Sequence, residues 1–249
     1  MPGDSLNTEP SAEPEHDQLL RLVLDALHRT LVHYALWWTE VGQQLGPEEC
    51  LPMESVVWER WFPLQLSRLG QALGFAVADG IPEALKHKTA EELRTLLAGM
   101  SANWLACDGL WFQAVEERHG LSAAQRCNDA AWSRFSPFEA ARIKVLLQLP
   151  EHGGLDALEQ ALRQRLYANI NVYTIERRDA STLILRMNDC RVQSARRRKG
   201  LADYPCKSAG VIEYTTFATA IDPRIHTECL GCPPDEHPAD WYCAWRFTM

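Results

Sequence analysis

Five cysteines lie in the last sixty residues of the chain, Cys190, Cys206, Cys229, Cys232 and Cys243, against three in the first 189. Their spacing is C-x15-C-x22-C-x2-C-x10-C. The pair Cys229-Leu-Gly-Cys232 places two thiols on one tight turn, the separation a tetrahedral metal asks for, and Gly231 suits the bend of such a knuckle. With Cys206 and Cys243 added, four thiolates would close a structural shell, for which zinc is the default ion; an iron–sulfur cluster is the lesser alternative, which the spacing does not exclude. The bland alternative is that these are small buried residues, because free cysteine is among the most buried types. His226 is a weaker candidate ligand, since three residues from Cys229 in a regular strand means the opposite face.

Cys190 stands outside that set of four. Arg191, Arg196, Arg197, Arg198 and Lys199 follow it directly. They read either as a solvated helix face or as an anion site, with Arg191 the nearest cation and the group lowering the thiol pKa of Cys190. If the protein is a hydrolase, Cys190 is the expected nucleophile. A second signal is the nine tryptophans, seven of them in expected helices. Helical spacing makes most of them core, yet Glu40, Glu54, Asp108, Glu116 and Asn128 fall among them. Asp108 shares a helix face with Trp104 and Trp111, so it either caps an indole N–H or lines a ligand pocket. Glu116-x-x-His119 would need a second such motif for a di-iron site, and the only other, Glu13-x-x-His16, falls in the N-terminal lead-in. No phosphate loop, nucleophile elbow or H-E-x-x-H occurs.

The elements that must position these residues change period along the chain. Residues 1–17 lack apolar periodicity and read as a disordered tail. From residue 18 the apolar steps are helical, through Leu20, Leu24, Leu27, Leu31, Tyr34 and Trp38, until Gly46-Pro47. A second helix is expected over 51–69, and Pro82 opens a short turn. Thr89-Ala-Glu-Glu92 is a capping box for a third helix that ends at Gly120. Ser122-x-x-Gln125 reads as another box for a fourth, and Ser136-Pro137 as the restart of a fifth. A sixth covers 155–167. Residues 170–177 and 181–189 then alternate as strands around a hairpin turn, with Leu183, Leu185 and Met187 on one face. Helices follow over 191–200 and 207–220, and strands over 223–229 and 240–248, the last with Trp241, Cys243, Trp245 and Phe247 on one face. The fold class is α+β: a helical N-terminal part over 18–168, then an antiparallel-sheet C-terminal domain over 169–249 (β-β-α-α-β-β) with a cysteine metal site.

Three stretches carry a resemblance: Cys206-Lys-Ser-Ala-Gly210, Pro223-Arg-Ile-His-Thr-Glu228-Cys229 and Cys243-Ala-Trp-Arg-Phe247. Together they resemble the end of the 4-vinyl-reductase-type small-molecule-binding domain. That resemblance implies a TRAPP-like fold, binding or sensing of small apolar molecules, and zinc held through these cysteines. The closing strand, with Cys190 after an earlier one, is similar to L-2-amino-thiazoline-4-carboxylate hydrolase-like proteins. The Cys-Lys-Ser, Asp-Pro-Arg and Cys-Pro-Pro-Asp elements resemble a family of bacterial cytosolic proteins without an assigned function. This chain departs from the characterised families in Cys232 and in the insertion before Cys243, which leaves the fourth ligand open. The helical N-terminal part lies outside the resemblance.

Composition narrows the partners. The net charge is −8, and Asp4, Glu9, Glu13, Glu15 and Asp17 supply five of the negative charges. The remainder is only mildly acidic and gives no reason to expect nucleic acid. The N-terminus has no basic or apolar signal region, and no apolar stretch is long enough to span a membrane. A reducing, cytoplasmic setting is therefore expected, where clustered thiols serve metals or chemistry rather than disulfides. The leading expectation is a zinc-containing protein that binds or senses a small apolar or aromatic molecule, with Trp104, Asp108, Trp111 and Arg191 as ligand contacts; a homodimer is compatible with it. The alternative is a hydrolase of a small amide or cyclic amidine, using Cys190 or a zinc-bound water. Four thiolates leave no open position on zinc, which favours binding.

Overall fold

The computed structural model describes residues 15–198, 200 and 203–249. The chain is mixed α+β, mostly helical, with antiparallel sheet in its C-terminal part. The elements are α1 (His16–Leu45), α2 (Pro47–Leu73), β1 (Val77–Ala78), β2 (Ile81–Pro82), α3 (Glu83–Lys86), α4 (Ala90–His119), α5 (Leu121–Leu147) and α6 (Gly154–Leu162). A 3-10 turn (Leu166–Asn169) leads into β3 (Val172–Asp179) and β4 (Thr182–Asp189). Then come α7 (Arg191–Arg198), α8 (Lys207–Ile221), β5 (His226–Gly231) and β6 (Cys243–Thr248). Packing divides the chain into two compact units at Trp61/Phe62, a point inside α2. Residues 1–14 of the expected tail lie outside the described residues, and α1 claims its last two from His16 onward.

Helix ends follow the local chemistry in part. Thr89 Oγ1 accepts the Glu92 amide at 3.2 Å while the Glu92 carboxylate accepts the Thr89 amide at 2.8 Å, the reciprocal capping box expected at the start of α4. The second expected box does not form, because α5 already begins at Leu121 behind Gly120. Nor does the helix break at Pro137, which sits inside a continuous α5. An internal proline costs about 3 kcal/mol. Burial opposes that cost: Trp132, Ser136, Glu139, Ala140 and Ile143 form one buried stripe through the proline site. The sixth expected helix is shorter than its pattern, giving way to the 3-10 turn after Leu162. The small β1–β2 hairpin had no legible alternation.

In the second unit a four-stranded antiparallel sheet runs in the order β3-β4-β6-β5. Leu183, Leu185 and Met187 pair with Phe247, Trp245 and Cys243, so the expected apolar face of β4 continues across β6. Trp241 lies before β6 rather than in it, packed within 3.0 Å of where a side chain on Gly231 would begin. Helix α8 lies against this sheet and against α5. Its buried residues, Ala209, Gly210, Glu213, Tyr214, Phe217, Ala218 and Ile221, recur at one- and three-residue steps and make a single stripe. Gly210 is what lets the helix come close: a Cβ there would stand 2.8 Å from the Trp245 ring. Ala140, Ile143, Leu158 and Leu162 close the core from the helical side.

The Asp-Pro-Arg element turns out to be structural. Asp222 has no accessible surface, and its carboxylate accepts the Gly154 amide at 2.9 Å and the Arg224 side chain at 2.9 and 2.6 Å. It therefore ties the end of α8 to the start of α6. The Arg224 guanidinium and these amides hold its pKa well below the usual carboxylate range.

Candidate functional site

The second unit encloses a cavity of about 440 Å³ between α4, α5, α7, α8 and the ends of β4 and β6. That is within the size range of sites for small organic molecules. Its floor is built by the other two sequence elements acting together. The Lys207 amide donates to Pro233 O at 2.9 Å, and Lys207 Nζ pairs with the Asp235 carboxylate at 2.7 Å. The Cys-Lys-Ser stretch is thus fastened to the Cys-Pro-Pro-Asp stretch. The fastening brings Cys206 Sγ to 3.5 Å from Cys232 Sγ, beneath the open face of Gly210.

Cys206 occupies the N-cap of α8. Its thiol pKa is lowered, first by the hydrogen bond from Cys232 and also by Gln193 Nε2, 3.5 Å away; the Cys232 thiol is raised, first by Cys206, then by Cys243 and by burial. Gln193 is buried and holds the segment before α8 in place, exchanging hydrogen bonds with Tyr204 N and O at 2.8 and 2.9 Å. Cys243 completes this side of the wall, its Sγ accepting Trp245 Nε1–H at 3.4 Å. Cys190 lines the same cavity.

The expected activation of Cys190 by the basic run is not what the structure holds. Burial pushes its thiol up to about 12, against the lowering that this reading asks for. The charges are spent elsewhere. Arg197 pairs with Asp203 at 3.3 Å and its guanidinium lies 4.4 Å from the centre of the Tyr242 ring, while Arg191 is exposed at the cavity rim. Lys199 lies outside the described residues.

The rest of the lining is aromatic and carries carboxyls. Trp132 and Tyr167 stack at 5.7 Å, Tyr214 stacks on Trp245 at 4.7 Å, and Phe112 meets Tyr204 edge-on at 5.0 Å. Asp108 faces the cavity from α4, its pKa raised by desolvation, and Glu116 and Asn128 lie along the same side. Glu213 faces it from α8. Behind the wall Arg165, 2% exposed, joins Glu139 at 2.8 Å and Glu213 at 2.6 Å, with its guanidinium 4.6 Å from the Phe217 ring centre. The contact to Glu213 is an ion pair without hydrogen-bond geometry. Burial outweighs Arg165 and pushes the Glu213 carboxyl up to about 7. At neutral pH it can therefore either donate or accept a hydrogen bond.

Of the residues singled out by sequence, Asp108, Arg191, Cys190, Cys206, Cys232 and Cys243 line the cavity. Trp104 stands behind it, edge-on to Trp132 and Tyr167 at 5.9 and 4.9 Å. Trp111 points elsewhere and is 71% exposed, since α4 has its cavity face at Asp108, Phe112 and Glu116. Cys229 packs on the core from β5 and does not line the cavity, and His226 is exposed at the strand's start. Glu213, Tyr214, Gln193 and Tyr204 went unread. A lone carboxylate within the apolar run of α8 was the available signal for Glu213.

For a metal, the thiols fit in part. A tetrahedron with sulfur bonds of 2.3 Å has an edge of about 3.8 Å, and Cys206 with Cys232 comes close to one such edge. Among the described residues no group of three or more His, Cys, Asp or Glu is placed to hold a metal ion. Two ligands fit; a closed shell is not assembled.

Residues 86–249 match the model of DUF6125, a family of unknown function. The chain belongs to that family. The DUF6125 match takes in the whole cavity, from α4 to β6, and leaves α1 and α2 outside it. No curated protein and no solved structure matches the chain. Among the described residues no helix is long and apolar enough to cross a membrane.

Proposed function

We propose that the DUF6125 region binds or senses a small molecule with an apolar or aromatic body, held in the cavity between α4, α5, α7 and α8. The observation that carries this reading is the cavity's composition: aromatic walls with convergent polar groups, Asp108, Glu116, Asn128 and Glu213, on packed helices. Such a lining sequesters a flat apolar body and orients it by one or two hydrogen bonds. Glu213 supplies a proton-sharing group, and Arg191 a cation at the rim. The resemblance to 4-vinyl-reductase-type domains agrees with this reading, as does a cytoplasmic setting for a chain whose eight cysteines are all free thiols.

Zinc on Cys206, Cys229, Cys232 and Cys243 is the finer part of the proposal, supported by the Cys206–Cys232 contact alone. A zinc bound there would staple the floor of the cavity. The hydrolase reading asks Cys190 to act as a thiolate, and burial of its thiol opposes that.

Denaturing extraction of the purified protein, followed by mass spectrometry, tests the binding reading. One compound released near one equivalent is expected, and its loss is expected in Ala106→Trp, which fills the cavity from an exposed position on α4. Metal analysis with thiol alkylation tests the rest. One zinc with Cys206, Cys229, Cys232 and Cys243 protected supports the shell, no metal with all four alkylated removes it, and selective labelling of Cys190 favours the hydrolase.

A further inference from the structure

The first unit has a pocket of its own. A groove of about 390 Å³ lies between α1 and the first half of α2, with Tyr34, Trp37, Trp38 and Trp61 around it and Glu54 in its wall. Glu54 is 8% exposed. One of its oxygens, Oε1, accepts the Tyr34 hydroxyl at 2.8 Å. The other, Oε2, is buried and has no hydrogen-bond partner among the described residues. Among the described residues no Lys or Arg lines the groove; its histidine, His33, lies edge-on to Trp37 with ring centres 6.4 Å apart and has no hydrogen bond to Glu54.

This arrangement is costly without an occupant. An acceptor withdrawn from water and left unpaired costs the desolvation of that group, and more if the group is charged. The surrounding rings add a second, independent property. Tyr34, Trp37, Trp38 and Trp61 all line the groove with Glu54, and Tyr34 lies 5.1 Å from Trp61, tilted by 32°, so electron-rich rings surround the space beside the carboxyl. Cation–π attraction and an unpaired carboxyl oxygen call for the same partner: a positive charge carrying an N–H donor on an apolar body. A neutral apolar molecule would satisfy the rings and leave Oε2 unpaired. An anion would meet the carboxylate.

We propose that the α1–α2 groove binds a primary organic ammonium ion, with the N–H group donating to Glu54 Oε2 and the body packed among Tyr34, Trp37, Trp38 and Trp61. The site lies outside the part matched by the family model, which begins at residue 86. It is independent of the cavity reading above.

Calorimetric titration of the full chain with 2-phenylethylamine hydrochloride, and with 2-phenylethanol as the neutral counterpart at matched ionic strength, tests the proposal. The amine is expected to bind at least about 10-fold tighter than the alcohol, the effect of pairing a desolvated charge. Glu54→Gln is expected to erase that preference, and Ala106→Trp, in the other unit, to leave it intact. Trp37 is 63% exposed, so Trp37→Leu keeps the fold and is expected to weaken amine binding about 3- to 10-fold. This variant decides the matter if Glu54→Gln does not fold. Equal affinity for amine and alcohol, a preference that survives Glu54→Gln, or no saturable amine binding by 20 mM would each overturn the proposal. So would a concentration-dependent dimer that binds no amine, which would assign the groove to a second copy of the chain.

Discussion

The two units of the chain bury their aromatic and acidic residues in opposite ways. In the second, the helices close over a sheet; Tyr214 and Trp245 belong to the core while lining a cavity, and Trp132 and Tyr167 stack on each other in its lining. Its buried carboxylates Glu139 and Glu213 share a buried cation, Arg165. In the first, α1 has no buried residue, and leucines from Leu19 to Leu36 are exposed along it. Among the described residues its buried carboxylate, Glu54, is hydrogen-bonded to a tyrosine hydroxyl and to no cation. The same residue types thus do different work: a preformed, charge-compensated wall in one unit, an uncompensated groove in the other.

That contrast predicts a hierarchy of mutational effects. Arg165→Leu should be the most damaging change, because it leaves Glu139 and Glu213 buried together without their cation. A loss of about 3 to 5 kcal/mol at pH 7 is expected in denaturant melts. The loss should shrink at pH 5.5, where Glu213 is protonated. Glu213 is raised above its unfolded value, so the folded state binds more protons between the unfolded carboxylate range and about 7. Its contribution to stability is accordingly full at low pH and falls as pH rises through about 7. A loss independent of pH would remove Glu213 from the account.

Gly210→Ala should come next, at about 2 to 3 kcal/mol, since its Cβ meets the ring of Trp245 and α8 must move off the sheet. Asp222→Asn should cost about 1 to 2 kcal/mol at pH 7 through the tie to Gly154 and Arg224. Here the pH sign reverses. The Asp222 pKa is depressed, so its contribution is present above the unfolded value near 4 and is lost as pH falls below that. The wild-type advantage over Asp222→Asn should therefore vanish in acid. The smallest effect should be in the first unit: Leu24→Ala, at a position 68% exposed, is expected to change stability by less than about 0.5 kcal/mol. A large loss there would mean that α1 is covered in solution and would collapse the contrast between the units.

The sequence carried the elements whose signals are local. The capping box at Thr89, the alternation of Leu183, Leu185 and Met187, and the α-α pair between two hairpins of strand were legible because each rests on neighbours within a few residues. The continuity of α5 was not, since the burial that overrides Pro137 comes from α8, some seventy residues on. The thiols show the same division. Concentration of cysteines in the last quarter was plain, but spacing favoured the C-x2-C knuckle, whereas the contact the fold makes is Cys206 to Cys232. That choice depends on Lys207 meeting Asp235, which no period reveals. Asp108 was found because it shares a helix with tryptophans, although the partners assigned to it by helical face, Trp104 and Trp111, are not the cavity's rings. Glu213 was missed because its significance lies in Arg165, from a different stretch of chain.

The ligand proposed for the C-terminal cavity is distinct from the cation proposed for the N-terminal groove, and it is the one expected to stay with the protein through purification. Native mass spectrometry of the freshly purified chain tests it directly. The account predicts a 1:1 non-covalent adduct on the wild type that persists in Glu54→Gln and disappears in Ala106→Trp. An adduct that survives Ala106→Trp and is lost in Glu54→Gln would contradict it.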